Sequence, residues 1–141
     1  MAYDVALKLP ATWTVESEVF NDDMGVEVTR ASASSDRDFI DIYVGPLPEG
    51  ETAEDQAFAN YAESVGFYED DPEDFNPIES FQFNNKKAFG FEGLSEENLP
   101  LRIFTQELRK GILGVFVVIG HNEKALADNM ALLERSFRLT V

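Results

Sequence analysis

The stretch "LRIFTQELRKGILGVFVVIG", Leu101 to Gly120, decides more of the fold than any other in this chain. Two runs rich in apolar residues flank Lys110-Gly111, a pair suited to a tight turn, so the spacing predicts a hairpin. The second run, Ile112 to Gly120, is apolar at consecutive rather than alternate positions. Such a strand buries both faces, which places it centrally in a sheet covered on both sides. It is also far short of the roughly 20 apolar residues needed to cross a bilayer.

Outward from this hairpin, "IESFQF" and "KKAFGFEG" form a second one across Asn84-Asn85, which suits a tight turn. Towards the C-terminus, Asn122 can cap a helix whose stripe is Leu126, Met130 and Leu133. Phe137 in the closing "SFRLTV" continues that stripe into the core. Towards the N-terminus, "YDVALKL" alternates with Tyr3, Val5, Leu7 and Leu9 on one face, and "TWTVESEVF" with Trp13, Val15 and Val19. Pro10 separates these two strands, and "GVEVTRASAS" and "FIDIYVG" add two more. Thr52 with Asp55 three residues on resembles a capping box. It opens a helix over residues 52–65 with Phe58, Tyr61, Ala62 and Val65 at helical spacing. Strands in two groups, with one helix between and one at the end, predict a single α+β domain over residues 1–141. Its core is a twisted, mainly antiparallel sheet of about six or seven strands with two main helices packed on it.

The 141 residues carry a net charge of -16, unevenly placed. Thirteen of the 27 acids and none of the 11 bases fall between Asp38 and Asn85. Such a surface repels phosphate backbones and anionic membranes, so nucleic acid and membrane insertion are not expected. The absence of cysteine excludes disulfides, thiolate ligands and cysteine nucleophiles. The N-terminal "MAYDVALKLP" has no basic leader with an apolar core. This predicts a cytoplasmic protein, the alternative being an exported or lipoprotein form whose leader has been removed.

Elements in the order above, with "LPATW" near the start, "GPLPEGETAEDQAF" before the first helix and "SFRL" at the end, resemble the PsbP-like superfamily. That superfamily includes the extrinsic photosystem II protein, a eukaryotic Ran-GTPase release factor and bacterial DcrB-like proteins. The resemblance covers nearly the whole chain and implies an α/β/α sandwich that binds proteins and has no general catalytic centre. The chain is similar in length, acidity and its "RIFTQEL" strand to the DcrB-like branch. That branch contains chaperones of type VI secretion effectors, which grip apolar effector helices and often carry a glutamine at the place of Gln106. It departs from the branch in having "NNKKAFGF" where a "dG" turn is usual.

Catalytic signatures are absent from the pattern. His121 is the single histidine, so no histidine pair or triad can be assembled, and it reads as a turn residue before the Asn122 cap. "GFYEDDPEDFNP", Gly66 to Pro77, is dense in carboxylates, and Asp70, Asp71, Glu73 and Asp74 are the candidate ligands of a calcium loop. Counted from Asp70, the third and sixth positions are Pro72 and Phe75; counted from Asp71, the fifth is Phe75. Neither frame fits the loop signature, so a solvated acidic loop pinned by its aromatics outweighs a metal site. With 27 acids, chance proximity deprives any glycosidase-like carboxylate pair of weight. The cations Lys86, Lys87, Arg102, Arg109 and Lys110 read as internal charge balance between strands.

The expectation is therefore a non-enzymatic, cofactor-free adaptor or chaperone-like domain. Phe81, Phe83, Phe89, Phe91, Phe104 and Phe116 are mostly core. If both helices lie on one side of the sheet, however, part of the other face exposes aromatic surface for a partner. Phe89, Phe91, Arg102, Phe104 and Gln106 are the expected contact residues, and acidic flanks would steer a basic or amphipathic protein onto them. The same exposed face would serve a homodimer, which the net charge opposes at low ionic strength. A small-ligand or cation-binding domain using the acidic 69–74 loop is the alternative.

Overall fold

The computed structural model describes residues 5–67, 77–95 and 97–139. In chain order the elements are β1 (Val5–Leu7), β2 (Thr14–Asn21), β3 (Glu27–Ser35), β4 (Asp38–Pro46), α1 (Ala53–Phe67), β5 (Glu79–Phe83), β6 (Lys86–Leu94), β7 (Pro100–Arg109), β8 (Ile112–Ile119), α2 (Glu123–Ser136) and β9 (Phe137–Leu139). Seven strands form one sheet in the order β2-β3-β4-β8-β7-β6-β5. Each pairing in it is antiparallel. This is the α+β fold expected from the pattern of elements, and the doubly apolar β8 is its central strand.

The first predicted strand does not join that sheet. Val5 to Leu7 pair instead with Leu139 to Phe137 in a separate two-stranded ribbon, β1-β9. Pro10 and the turn it starts (Trp13 N–H to Pro10 O, 3.0 Å) separate β1 from β2 and free it to meet the chain's last strand.

Strand register sorts the side chains onto two faces, because directly opposed residues point the same way. On one face Ile42 lies opposite Phe116, and Phe116 opposite Phe104. The Phe104 and Phe116 rings stack at 4.6 Å, and Phe137 meets Phe116 edge-on at 5.1 Å. Leu126 and Leu133 of α2 close this larger core, with Ile40, Val44 and Val118. On the opposite face Phe91 and Leu101 are buried, with Tyr61, Ile103, Val117 and Ile119 packed against them. Tyr61 of α1 stands edge-on to Phe91 at 5.1 Å. The helices therefore cover opposite faces, α2 over β4, β8 and β7, and α1 over β6 and β7. The arrangement in which both helices share a side and bare the aromatics of the other is not the one adopted.

Local signals act as their chemistry dictates. The Thr52 main-chain N–H donates to Asp55 Oδ2 (2.9 Å) and the Asp55 N–H to Thr52 Oγ1 (3.1 Å), a reciprocal cap. Asn122 Oδ1 accepts from the Ala125 N–H at 2.8 Å and starts α2. Asn84 and Asn85 both have positive φ, 51° and 65°, as a two-residue hairpin turn of the primed type requires.

The face that α1 turns to the sheet includes Tyr61 of the expected stripe but not Phe58. Ala53 and Ala57 are buried, whereas Phe58 is 56% exposed. Thr105 Oγ1 donates to the Ala53 carbonyl and draws the start of the helix close to β7. Only small side chains fit in so narrow a gap, so the alanines face the sheet and Phe58 turns outward. Close approach also explains Gly90 in β6: any Cβ there would collide with Phe104 and the Ile103 carbonyl.

Candidate functional site

The residues expected to form a contact patch are divided between two faces, and three of the five are buried. Phe89 and Phe91 lie on the α1 face, opposite Thr105 and Ile103. Arg102, Phe104 and Gln106 project from the α2 face, and Phe91, Phe104 and Gln106 are each buried to within 2%. Arg102 lies 4.1 Å from the Phe81 ring centroid and pairs with Glu92 (3.2 Å) and Glu79 (3.7 Å). Its Nε is buried without a hydrogen-bond partner. Gln106 Nε2 donates to the carbonyls of Phe83 (2.7 Å) and Lys86 (3.1 Å), which ties the β5–β6 hairpin to β7. One helix on each face is the physical reason that Phe91, Phe104 and Gln106 are core and not surface, with Phe89 and Arg102 half-buried beside them.

Of the cations expected to balance acids across strands, Arg102 does so. Lys86, Lys87, Arg109 and Lys110 form no ion pair with another described residue. Asp70, Asp71, Glu73 and Asp74 lie outside the described residues. Among the described residues no group of three or more histidine or acidic side chains could hold a metal ion. His121 is exposed and bound to Asp38, its main-chain N–H and its Nδ1 each 2.9 Å from Asp38 Oδ1, a turn contact as its position suggested. No described helix is long and apolar enough to cross a membrane.

The bare part of the molecule is the other end of the sheet. Every residue of edge strand β2 is exposed. Four of the five exposed large hydrophobic side chains among the described residues are Val15, Val19, Phe20 and Met24, on β2 and the turn after it. Val15, Ser17 and Val19 extend the α2 face beyond Ala33, Ala31 and Thr29. Helix α2 and β1 reach only to β4 and β3, so the row is left uncovered. Glu16 and Glu18 alternate with it and point to the α1 face. No signal along "TVESEVF" distinguishes this row from a buried one, since its apolar spacing is that of any half-buried strand.

Behind β2, on the part of the α1 face that α1 does not reach, a polar network occupies β3 and β4. Asp41 is buried and accepts four hydrogen bonds, from Arg30 Nε and Nη2 (2.9 Å each), Ser32 Oγ (2.9 Å) and Tyr43 Oη (3.0 Å). Arg30 also reaches Glu18 of β2 at 3.5 Å. The hydrogen bond to Asp41 holds the Arg30 guanidinium above even its usual pKa, against the opposing effect of burial. Burial first, and then the Asp41 charge, raise the Tyr43 phenol. These groups bond to one another, and the network fixes the shape of this face. Neither a protein-family model nor a curated protein matches the chain.

Proposed function

We propose that this is a non-enzymatic protein-binding domain that takes up an extended segment of a partner along edge strand β2. The observation that carries this reading is the gathering of exposed apolar side chains on β2 and its turn, Val15, Val19, Phe20 and Met24. An edge strand presents unpaired main-chain groups on its outer side, and a peptide can add to it as a further strand. Charged residues on an edge also guard against unwanted pairing, and Glu16 and Glu18 do that here. Guarding does not call for Val15 and Val19 on the same open face, one on each side of Ser17, and their exposure favours recognition.

The charge pattern selects the occupant. An added strand would have residues opposite Glu16 and Glu18 on one face and opposite Val15 and Val19 on the other. A segment alternating basic and apolar residues satisfies both, and the overall charge of -16 would speed its approach. A second copy of this chain is a poorer occupant. With Ser17 opposite Ser17 of the copy, Glu16 would face the copy's Glu18, a like-charge pair.

The test is photo-crosslinking in cells from benzoylphenylalanine placed at Ser17, with the crosslinked segment mapped by mass spectrometry. The reading predicts a segment of alternating basic and apolar residues. A synthetic peptide of that segment should bind wild type at least about tenfold more tightly than the Val15→Asp/Val19→Asp variant, about 1.4 kcal/mol. Absence of crosslinks, crosslinks to this chain alone, or undiminished binding by the variant overturns it.

A further inference from the structure

At the end of the sheet where both hairpins turn, an open cavity of about 320 Å³ lies between the β5–β6 turn, the end of β7 and β9. Its walls include Lys86, Gln106, Leu108, Arg109, Phe137 and Arg138. We propose that this cavity binds an oxyanion carried on a short apolar body, and that it does so independently of the β2 edge.

Positive charge gathers here in a protein that is otherwise strongly acidic. Six of the chain's 11 bases lie at this end: Lys86, Lys87, Arg109, Lys110, Arg135 and Arg138. Among the described residues, the three that line the cavity meet only neutral main-chain carbonyls. Lys86 Nζ donates to Leu108 O at 2.6 Å, and Arg109 Nη2 to Leu139 O at 3.3 Å. Arg138 Nη1 donates to the carbonyls of Glu134 (3.0 Å) and Phe137. An ammonium has three N–H donors and a guanidinium five, so among the described residues most of their hydrogen-bonding capacity is unused and no ion pair matches their charge. Two carboxylates of the adjoining elements accept main-chain hydrogen bonds, Glu134 from the Asn84 N–H (2.8 Å) and Glu107 from the Gly111 N–H (3.3 Å).

The shape of the site argues for more than a bare ion. The volume is that of a small organic ligand, and buried Leu108 and Phe137 supply apolar wall beside the cations. A register shift between Glu107 and Arg109 makes this geometry. The extra residue of the bulge keeps Leu108 on the core side while Arg109 reaches across to β9. Bulges commonly re-aim side chains in this way beside binding sites. A guanidinium fork with an ammonium beside it matches a carboxylate or a phosphate equally well.

Benzoate, phenyl phosphate and the neutral benzamide, titrated into the ¹⁵N-labelled protein at physiological salt and followed by NMR, separate the terms. Benzoate or phenyl phosphate should give saturable shifts at Asn84, Lys86, Gln106 and Arg109, and the tighter of the two assigns the headgroup. Benzamide should bind at least tenfold more weakly. Lys86→Gln/Arg109→Gln should weaken the anion at least tenfold while shifts elsewhere show the fold intact, and Val15→Asp/Val19→Asp should leave it unchanged. The proposal is overturned if neither anion saturates, if benzamide binds as tightly as benzoate, if the Lys86→Gln/Arg109→Gln variant binds undiminished, or if the β2 variant abolishes binding.

Discussion

At Tyr43, burial and the neighbouring Asp41 carboxylate both disfavour the phenolate, so the phenol titrates above its ordinary 10.0. The folded state thus holds this proton more tightly than the unfolded chain. The stability that Tyr43 contributes is complete below about pH 10 and is lost as pH rises through the folded value. Tyr43→Phe removes the hydrogen bond to Asp41 (3.0 Å), which costs about 1 kcal/mol. Urea unfolding of both proteins should show the largest gap at pH 8 and a narrowing gap above about pH 10, while the other tyrosines titrate in both and cancel. A gap that widens with pH would mean that folding lowers the pKa of this phenol, against both its burial and the Asp41 charge. None of this was visible in "FIDIYVG": alternation places Asp41 and Tyr43 on the face opposite Ile40 and Ile42, but not beside Arg30 and Ser32 of the preceding strand.

Among the elements, α1 separates what pattern tells from what packing tells. Its start is local chemistry, and the Thr52–Asp55 cap forms as the residue types imply. Its orientation is not local. Phe58 of the expected stripe is exposed, while Ala57 beside it is 1% exposed against the sheet. Thermal or urea unfolding should rank substitutions accordingly. Phe58→Ala should change stability by no more than about 0.5 kcal/mol, and Ala57→Leu, which overfills a closed gap, should cost about 1–3 kcal/mol. The reverse ranking would show that the helix turns its other face to β6 and β7. The same contrast holds along β2, where Val15 and Val19 alternate as core residues do and are nonetheless exposed, since the contacts of α2 among the described elements centre on β4, β8 and β7.

Over the whole molecule, charge is sorted in space as well as along the chain. The cations of the hairpin ends and of the α2 terminus meet at one end of the sheet, whereas the segment from Asp38 to Asn85 carries 13 acids and no base. Repulsion among those acids opposes compaction and is screened over about 10 Å at 0.1 M salt. Raising sodium chloride from about 10 mM to 0.5 M should lift the thermal midpoint by about 2–4 °C, equivalent to roughly 1 kcal/mol in a chain of this size. A midpoint that falls with salt would show that favourable ion pairs, such as Arg30–Asp41, outweigh the repulsion. The two cores on opposite faces also explain why the aromatics of β6 and β7, read together as one surface, are divided. Phe91 and Phe104 lie on neighbouring strands, but their positions have opposite parity in the β6–β7 register.

What the chain determined by itself was whatever depends on neighbours a few residues apart. Caps at Thr52 and Asn122, primed-turn conformations at Asn84 and Asn85, and the central place of the doubly apolar β8 all follow from local conformational preference and from period. Only the tertiary structure decided which helix covers which face, that β1 leaves the sheet for β9, and that Gln106 is an interior tie between strands. Those outcomes depend on which surfaces meet, and the free energy of burial is shared among residues far apart in sequence. The bare β2 edge and the cationic cavity belong to the same category: one is where coverage stops, the other where two hairpin ends and the C-terminal strand converge.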